Sequence, residues 1–232
     1  MPRFSAALVA LAILSTGSMS DAERVKVDVY YEQLCPYSVM FVTQQLVPAY
    51  EYLKDYVTVN FVPFGKASGF PVRFTCQHGP AECQGNKRQA CALFEIQQSV
   101  SLTNRQRSAV NFVGCVMANS RKSSAALDCA KRIGLPEASI DNIERCGSGI
   151  KGDELLISYG EETKAFESPL LGVPSVALNG VKNKKATEDF IGEVCHLIAD
   201  KNKPTPHIAA NDRLEGKRSN AGRRMKMSEP SK

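Results

Sequence analysis

Val25-Lys26-Val27-Asp28-Val29-Tyr30-Tyr31-Glu32-Gln33-Leu34-Cys35-Pro36-Tyr37-Ser38 is the stretch on which the fold turns. Its first seven residues are rich in β-branched and aromatic side chains and alternate with polar ones, which predicts a strand. Pro36 suits a first helical turn. Val39, Met40, Val42, Leu46 and Val47 follow at roughly helical spacing. Cys35 therefore falls where a strand hands over to a helix. Unsatisfied N–H groups and the dipole at a helix start favour a thiolate. A Cys-x-x-Cys at such a junction exchanges disulfides: the first thiolate attacks, and the second cysteine resolves the mixed disulfide. Here Ser38 holds the second place. A hydroxyl forms no disulfide, so the chain is equipped to begin the exchange and lacks the usual means of ending it. The expectation is a free, partly exposed Cys35 nucleophile; the plainer alternative is a buried structural cysteine beside a helix.

The flanking chain sets the compartment. Residues 1–20 read as a signal peptide, with Arg3 as a positive start, an 11-residue apolar stretch from Phe4 to Leu14, and small residues at Ser18-Met19-Ser20. That stretch is too short to span a bilayer as a helix. All eight cysteines lie beyond it: Cys35, Cys76, Cys83, Cys91, Cys115, Cys129, Cys146 and Cys195. Eight cysteines in an exported chain imply a disulfide framework built in an oxidising compartment. With Cys35 free, seven remain, so at least one more is free or pairs between chains. No two C-x-x-C pairs are present, which argues against zinc.

Further along, Val57 to Val62 alternates as a second strand ended by Pro63 and Gly65, and Gly69 to Gln89 reads as a loop. From about 85 to 165 the pattern is mostly helical. Leu171-Gly172-Val173-Pro174 leads into a strand at Ser175–Leu178. Asn179-Gly180 is a strong two-residue hairpin turn, and Val181 starts the return. Thr187 is placed to cap a last helix through Ile198. Strand, helix, strand, helical block, hairpin and helix make the thioredoxin pattern with an insertion after the second strand. The fold class is α/β: a thioredoxin-like mixed sheet with a disulfide-stapled helical insertion. Residues 21–200 form that domain. In thioredoxin-like proteins a cis proline starts the strand opposite the active cysteine, which implies a cis, substrate-facing Pro174.

Cys76-Gln77-His78-Gly79-Pro80-Ala81-Glu82-Cys83-Gln84-Gly85-Asn86-Lys87-Arg88-Gln89-Ala90-Cys91 resembles the signature of the gamma-interferon-inducible lysosomal thiol reductase (GILT) family. That signature reads C-Q-H-G-x-x-E-C-x-x-N-x-x-x-x-C, and all of its fixed positions match. The resemblance covers most of Val25 to Ala199. It implies reduction of protein disulfides and secretory or endolysosomal residence, with Cys35 as nucleophile and Pro174 facing substrate. Ser38 departs from the family's resolving cysteine, making the chain a CxxS variant. The chain also has no N-x-S/T acceptor for sorting glycans, which favours secretion over the endolysosomal alternative. Cys76, Cys83, Cys91, Cys115, Cys129 and Cys146 are the structural disulfide candidates. Cys195 is left free or interchain, which keeps a disulfide-linked dimer open. Asn86 and Gln77 can hydrogen-bond loop backbone. His78 reads either as a proton carrier or as a capping side chain.

Residues 201–232 carry nine Lys/Arg against three acids, a net +6, and few apolar residues. They read as a disordered basic tail suited to anionic cell surfaces, or simply solvated. No module or aromatic stacking pattern points to nucleic acid. Two readings result. One is a secreted monothiol oxidoreductase acting on disulfide-containing proteins, with turnover weak and dependent on an external small thiol such as glutathione, and with no bound cofactor or metal. The other is a redox-weak secreted binding protein that uses the fold and the tail to hold partner proteins or anionic surfaces.

Overall fold

The computed structural model describes residues 24–69 and 73–198; the expected signal peptide and basic tail lie outside the described residues. β1 (Val25–Tyr31) is followed by α1 (Pro36–Phe41), a wide π-helical turn at Val42–Leu46, and α2 (Val47–Leu53). The wide turn has a local cause. Pro48 has no N–H, and its ring would strike the carbonyl four residues back. The ladder opens accordingly, and the Val47 N–H reaches the Val42 carbonyl, five residues back. β2 (Val57–Pro63) comes next, then five helices: α3 (Pro80–Ser99), α4 (Leu102–Ala118), α5 (Ala125–Arg132), α6 (Glu137–Ser148) and α7 (Ile150–Phe166). β3 (Ser175–Leu178), β4 (Val181–Lys182) and α8 (Phe190–Leu197) complete the described chain.

The sheet order is β2-β1-β3-β4. β1 runs parallel to β2 in a register that sets Val25 opposite Val57 and Tyr31 opposite Pro63. It runs antiparallel to β3, with Val29 opposite Val176. The β3–β4 hairpin turns on Asn179 (φ 51°) and Gly180 (φ 79°), the pair of positive φ values that the Asn-Gly dipeptide accommodates. β1 departs from the half-buried strand its alternation suggests, because every residue from Val27 to Tyr31 is buried. The central strand is covered on both faces. Val27, Val29 and Tyr31 enter the main core with Phe41, Leu46 and Phe112. On the opposite face Tyr30 stacks on Phe166 of α7 at 4.1 Å between ring centroids. Asp28 is tolerated there because Asn60 Nδ2 donates to its Oδ1 at 3.1 Å.

The helical insertion starts at Pro80, five residues earlier than the expected 85. Gly79 (φ 86°) makes the turn, and Pro80 takes the first helical position. Three disulfides tie the block together: Cys76–Cys83, Cys91–Cys146 and Cys115–Cys129. The first fastens the entry loop to α3, the second joins α3 to α6, and the third joins α4 to α5. Cys35 and Cys195 are the two described cysteines outside these bonds. The last helix is capped by Asp189, whose carboxylate accepts from Gly192 N–H at 3.0 Å. The expected cap, Thr187, instead ends a short 3₁₀ turn at Lys185–Thr187, where its hydroxyl donates to the Lys184 carbonyl. Among the described residues no helix is long and apolar enough to cross a membrane.

Candidate active site

Cys35 is the N-cap residue of α1, in extended conformation, with Pro36 in the first turn. Its carbonyl accepts the Val39 N–H at 3.0 Å, so the helix is anchored on the cysteine itself. Cys35 is buried, with the residue 5 % exposed, not partly exposed as the sequence suggests. The cover comes from the loop before β3, where Cys35 Sγ lies 3.6 Å from the Val173 carbonyl oxygen. The Val173–Pro174 peptide bond is cis. Beside it runs a groove lined by Tyr37, Met40, Gln44, Val173, Pro174 and Glu188. Tyr37 and Met40 of this lining are well exposed. Ser38 is fully buried three residues along the same helix. Its Oγ faces the backbone of the preceding loop, 3.4 Å from Glu32 N.

The segment Glu32-Gln33-Leu34, which delivers Cys35 to the helix, is held by one stripe of α3. Glu82, Asn86 and Gln89 lie at i, i+4 and i+7, on a single helix face, and all three are fully buried. Glu82 Oε2 accepts from Leu34 N–H at 3.3 Å and Asn86 Oδ1 from Gln33 N–H at 2.9 Å. Gln89 Nε2 donates to Gln33 Oε1, and Tyr31 Oη donates to Gln89 Oε1 at 2.8 Å. Gly85 completes the fit, since a Cβ there would stand 2.4 Å from Gln33 Oε1. The signature block is therefore a polar clamp on the cysteine-bearing loop. The expected hydrogen bond between Asn86 and loop backbone is present, with Gln33 N–H as donor, whereas Gln77 is exposed. The stripe, though not its partners, is readable from the chain: Glu82, Asn86, Gln89, Leu93 and Ile96 share one face whose apolar end marks it as buried.

His78 sits beside two carboxylates. Its Nδ1 lies 2.7 Å from Glu82 Oε2 and 3.5 Å from Glu32 Oε2. It thus joins the clamp at the loop before Cys35. Glu32, His78 and Glu82 are also the described residues whose ligand atoms converge, within 4.8 Å of one another, closely enough to share a cation. Hydrogen bonds already engage most of these atoms, Glu32 Oε1 accepting from Lys66 N–H at 2.7 Å.

Two carboxyls give the domain a signature in pH. Burial pushes the Glu32 carboxyl up, with Glu82 adding to the effect. Burial also raises Glu162 on α7, with nearby Asp28 adding to it and the hydrogen bond from Asn60 opposing. The folded chain then binds more protons than the unfolded chain above the ordinary value of 4.5. Stability from these groups is full below that value and is lost as pH rises through the raised pKa values. Glu167 works the other way, lowered by Lys182, but it is solvent-accessible and its effect is screened. We expect the urea midpoint to fall as pH rises above the ordinary carboxyl value, and Glu162→Gln to flatten that slope. A midpoint that rises there contradicts the assignment.

A helix-start cysteine against a cis-proline loop, in a domain built on a four-stranded mixed sheet, defines the class: a thioredoxin-fold thiol–disulfide oxidoreductase. The sequence profile described as "Gamma interferon inducible lysosomal thiol reductase (GILT)" matches residues 26–133. GILT-like protein 1 of Drosophila melanogaster is 34% identical over 201 residues, covering 81% of this chain and 79% of that protein. The gamma-interferon-inducible lysosomal thiol reductase-like protein of Anopheles gambiae is 33% identical, covering 79% of each. Among solved structures, the MdbA thiol-disulfide oxidoreductase from Corynebacterium diphtheriae superposes with a TM-score of 0.52 at 16% identity, over 77% of this chain and 86% of that one. This chain belongs to the GILT family.

Proposed function

We propose that the protein is a secreted, monothiol GILT-family oxidoreductase that acts on protein disulfides through Cys35 alone. The observation that carries this reading is the pairing of Cys35 at the start of α1 with a fully buried serine three residues on. Cys35 Sγ attacks one sulfur of a substrate disulfide. That S–S bond breaks, a mixed disulfide forms, and the departing substrate sulfur leaves as thiolate and takes a proton from water. An external small thiol then attacks the mixed disulfide. A second thiol molecule completes the reduction, so one substrate disulfide is exchanged for one small-molecule disulfide. The substrate segment lies along the groove between Tyr37, Met40 and Pro174, where Val173 offers backbone beside the reacting sulfur. The clamp from α3 fixes the loop so that the cysteine meets substrate in one geometry.

Burial of Cys35 beneath the Val173 loop favours low turnover and lends weight to the second reading, a binding protein with residual redox chemistry. One experiment decides. Incubated with a disulfide-containing protein and no added thiol, the chain should accumulate a covalent adduct that maps to Cys35 by mass spectrometry. Added thiol should dissolve it with release of reduced substrate. Absence of an adduct, or an adduct confined to Cys195, would sink the monothiol reading.

A further inference from the structure

A second cleft, of about 420 Å³, adjoins the loop that delivers Cys35 and shares no lining residue with the substrate groove. Gln33 and Leu34 form one wall, Gln84 and Arg88 of α3 another, and Arg121 and Lys122 of the α4–α5 connection the rim. The connection is held at both ends. Gln33 Nε2 donates to the Ser120 carbonyl at 2.8 Å, and Arg88 Nη1 donates to the Ser123 carbonyl at 2.7 Å. The two basic residues between these anchors are exposed. Neither makes a salt bridge among the described residues, whereas neighbouring Lys87 is engaged with Asp153. No carboxylate is among the residues lining the cleft. Three cations thus line one cleft, without a salt bridge to any of them among the described residues, beside the residue that precedes the nucleophile.

We propose that this cleft is the binding site for the resolving thiol, and that the thiol is a small molecule carrying carboxylates, of the glutathione class. The inference rests on the monothiol reading and supplies what that reading lacks. Leu34 lines the cleft and is one Cα step, about 3.8 Å, from Cys35. Tyr37, two residues after Cys35, lines the substrate groove. A tripeptide-sized thiol spans about 10 Å when extended. Its carboxylates can pair with Arg121, Lys122 and Arg88 while its sulfur reaches past Leu34 toward the mixed disulfide. Its thiolate attacks Cys35 Sγ, the substrate leaves as thiolate, and a second thiol molecule frees Cys35 as thiolate with formation of the small-molecule disulfide. Arginine suits this role because its planar fork matches a carboxylate.

The test uses Arg121→Glu/Lys122→Glu, which reverses the rim without touching the Gln33 and Arg88 anchors. Lys131→Glu/Arg132→Glu, an exposed basic pair at the end of α5, is the charge-matched control. With sub-saturating glutathione the rim variant should turn over a disulfide substrate about tenfold more slowly than wild type, a change of about 1.4 kcal/mol. With neutral 2-mercaptoethanol the two should agree within about twofold, and the control should follow wild type throughout. Unreactive S-methylglutathione, titrated by NMR, should bind wild type and not the rim variant, and its binding should weaken with salt. That titration stands even if no thiol supports turnover, so failure of the monothiol reading is separable from failure of the cleft. S-methylglutathione that ignores wild type, or binds both forms alike, overturns the proposal, as does an equal loss of rate with both thiols.

Discussion

Replacing Ser38 by cysteine should raise disulfide-reducing turnover by about 10- to 100-fold when external thiol is held near about 0.1 mM, because a tethered thiol acts at an effective concentration of millimolar order or above. Residues three apart share a helix face with Cβ atoms about 5–6 Å apart, so a thiol at position 38 starts within reach of Cys35. The site also tolerates the change. Ser38 is fully buried, its hydroxyl makes a long contact of 3.4 Å to Glu32 N, and a sulfur replaces an oxygen with little added volume. The gain should shrink as external thiol is raised, since the intermolecular route then competes. Two further readouts separate this from a general gain in stability. The covalent substrate adduct of wild type should disappear in Ser38→Cys, and on oxidation the introduced thiol should form an intrachain disulfide with Cys35. Equal turnover of wild type and variant at low thiol would mean that Ser38 is not the limiting feature and that another group resolves the adduct.

The largest effect on stability is expected at Cys91–Cys146. It closes the longest described loop, 55 residues, against 14 for Cys115–Cys129 and 7 for Cys76–Cys83. The chain-entropy account then gives about 4, 3 and 2.4 kcal/mol in that order. For a domain of this size, Cys91→Ala/Cys146→Ala should lower Tm by roughly 10 °C. The consequence reaches the active site, because α3 carries both Cys91 and the Glu82, Asn86 and Gln89 row that grips the loop before Cys35. Alkylation of Cys35 should accordingly quicken in this variant at temperatures where the rest of the domain stays folded. Thermal denaturation of the three double variants checks the ranking. A larger loss from removing Cys76–Cys83 than from removing Cys91–Cys146 would show that loop closure is not the governing term.

Much of the fold is legible along the chain because its signals are local. The strand ending at Tyr31, the proline after Cys35, the Asn-Gly hairpin and the broad helical block each depend on a few neighbouring residues. Boundaries slip where a neighbour's chemistry competes: Pro80 extends α3 toward the loop, Asp189 displaces Thr187 as a cap, and Pro48 widens a turn within the first long helix. The residues in order are enough to set the chemistry on offer, a lone helix-start thiol with a serine in the resolver's place and a signature that carries the family. How that chemistry is housed depends on packing between distant segments. Burial of β1 on both faces follows from its central place in the sheet, not from its own pattern. Cys35 is covered because a carbonyl 138 residues away lies against it. Glu82, Asn86 and Gln89 are a clamp, not a solvated helix face, because the loop packed on them supplies hydrogen-bond partners that offset the cost of burying polar groups. Those partners are distant in sequence, and a long-range hydrogen bond leaves no mark in the spacing of either participant.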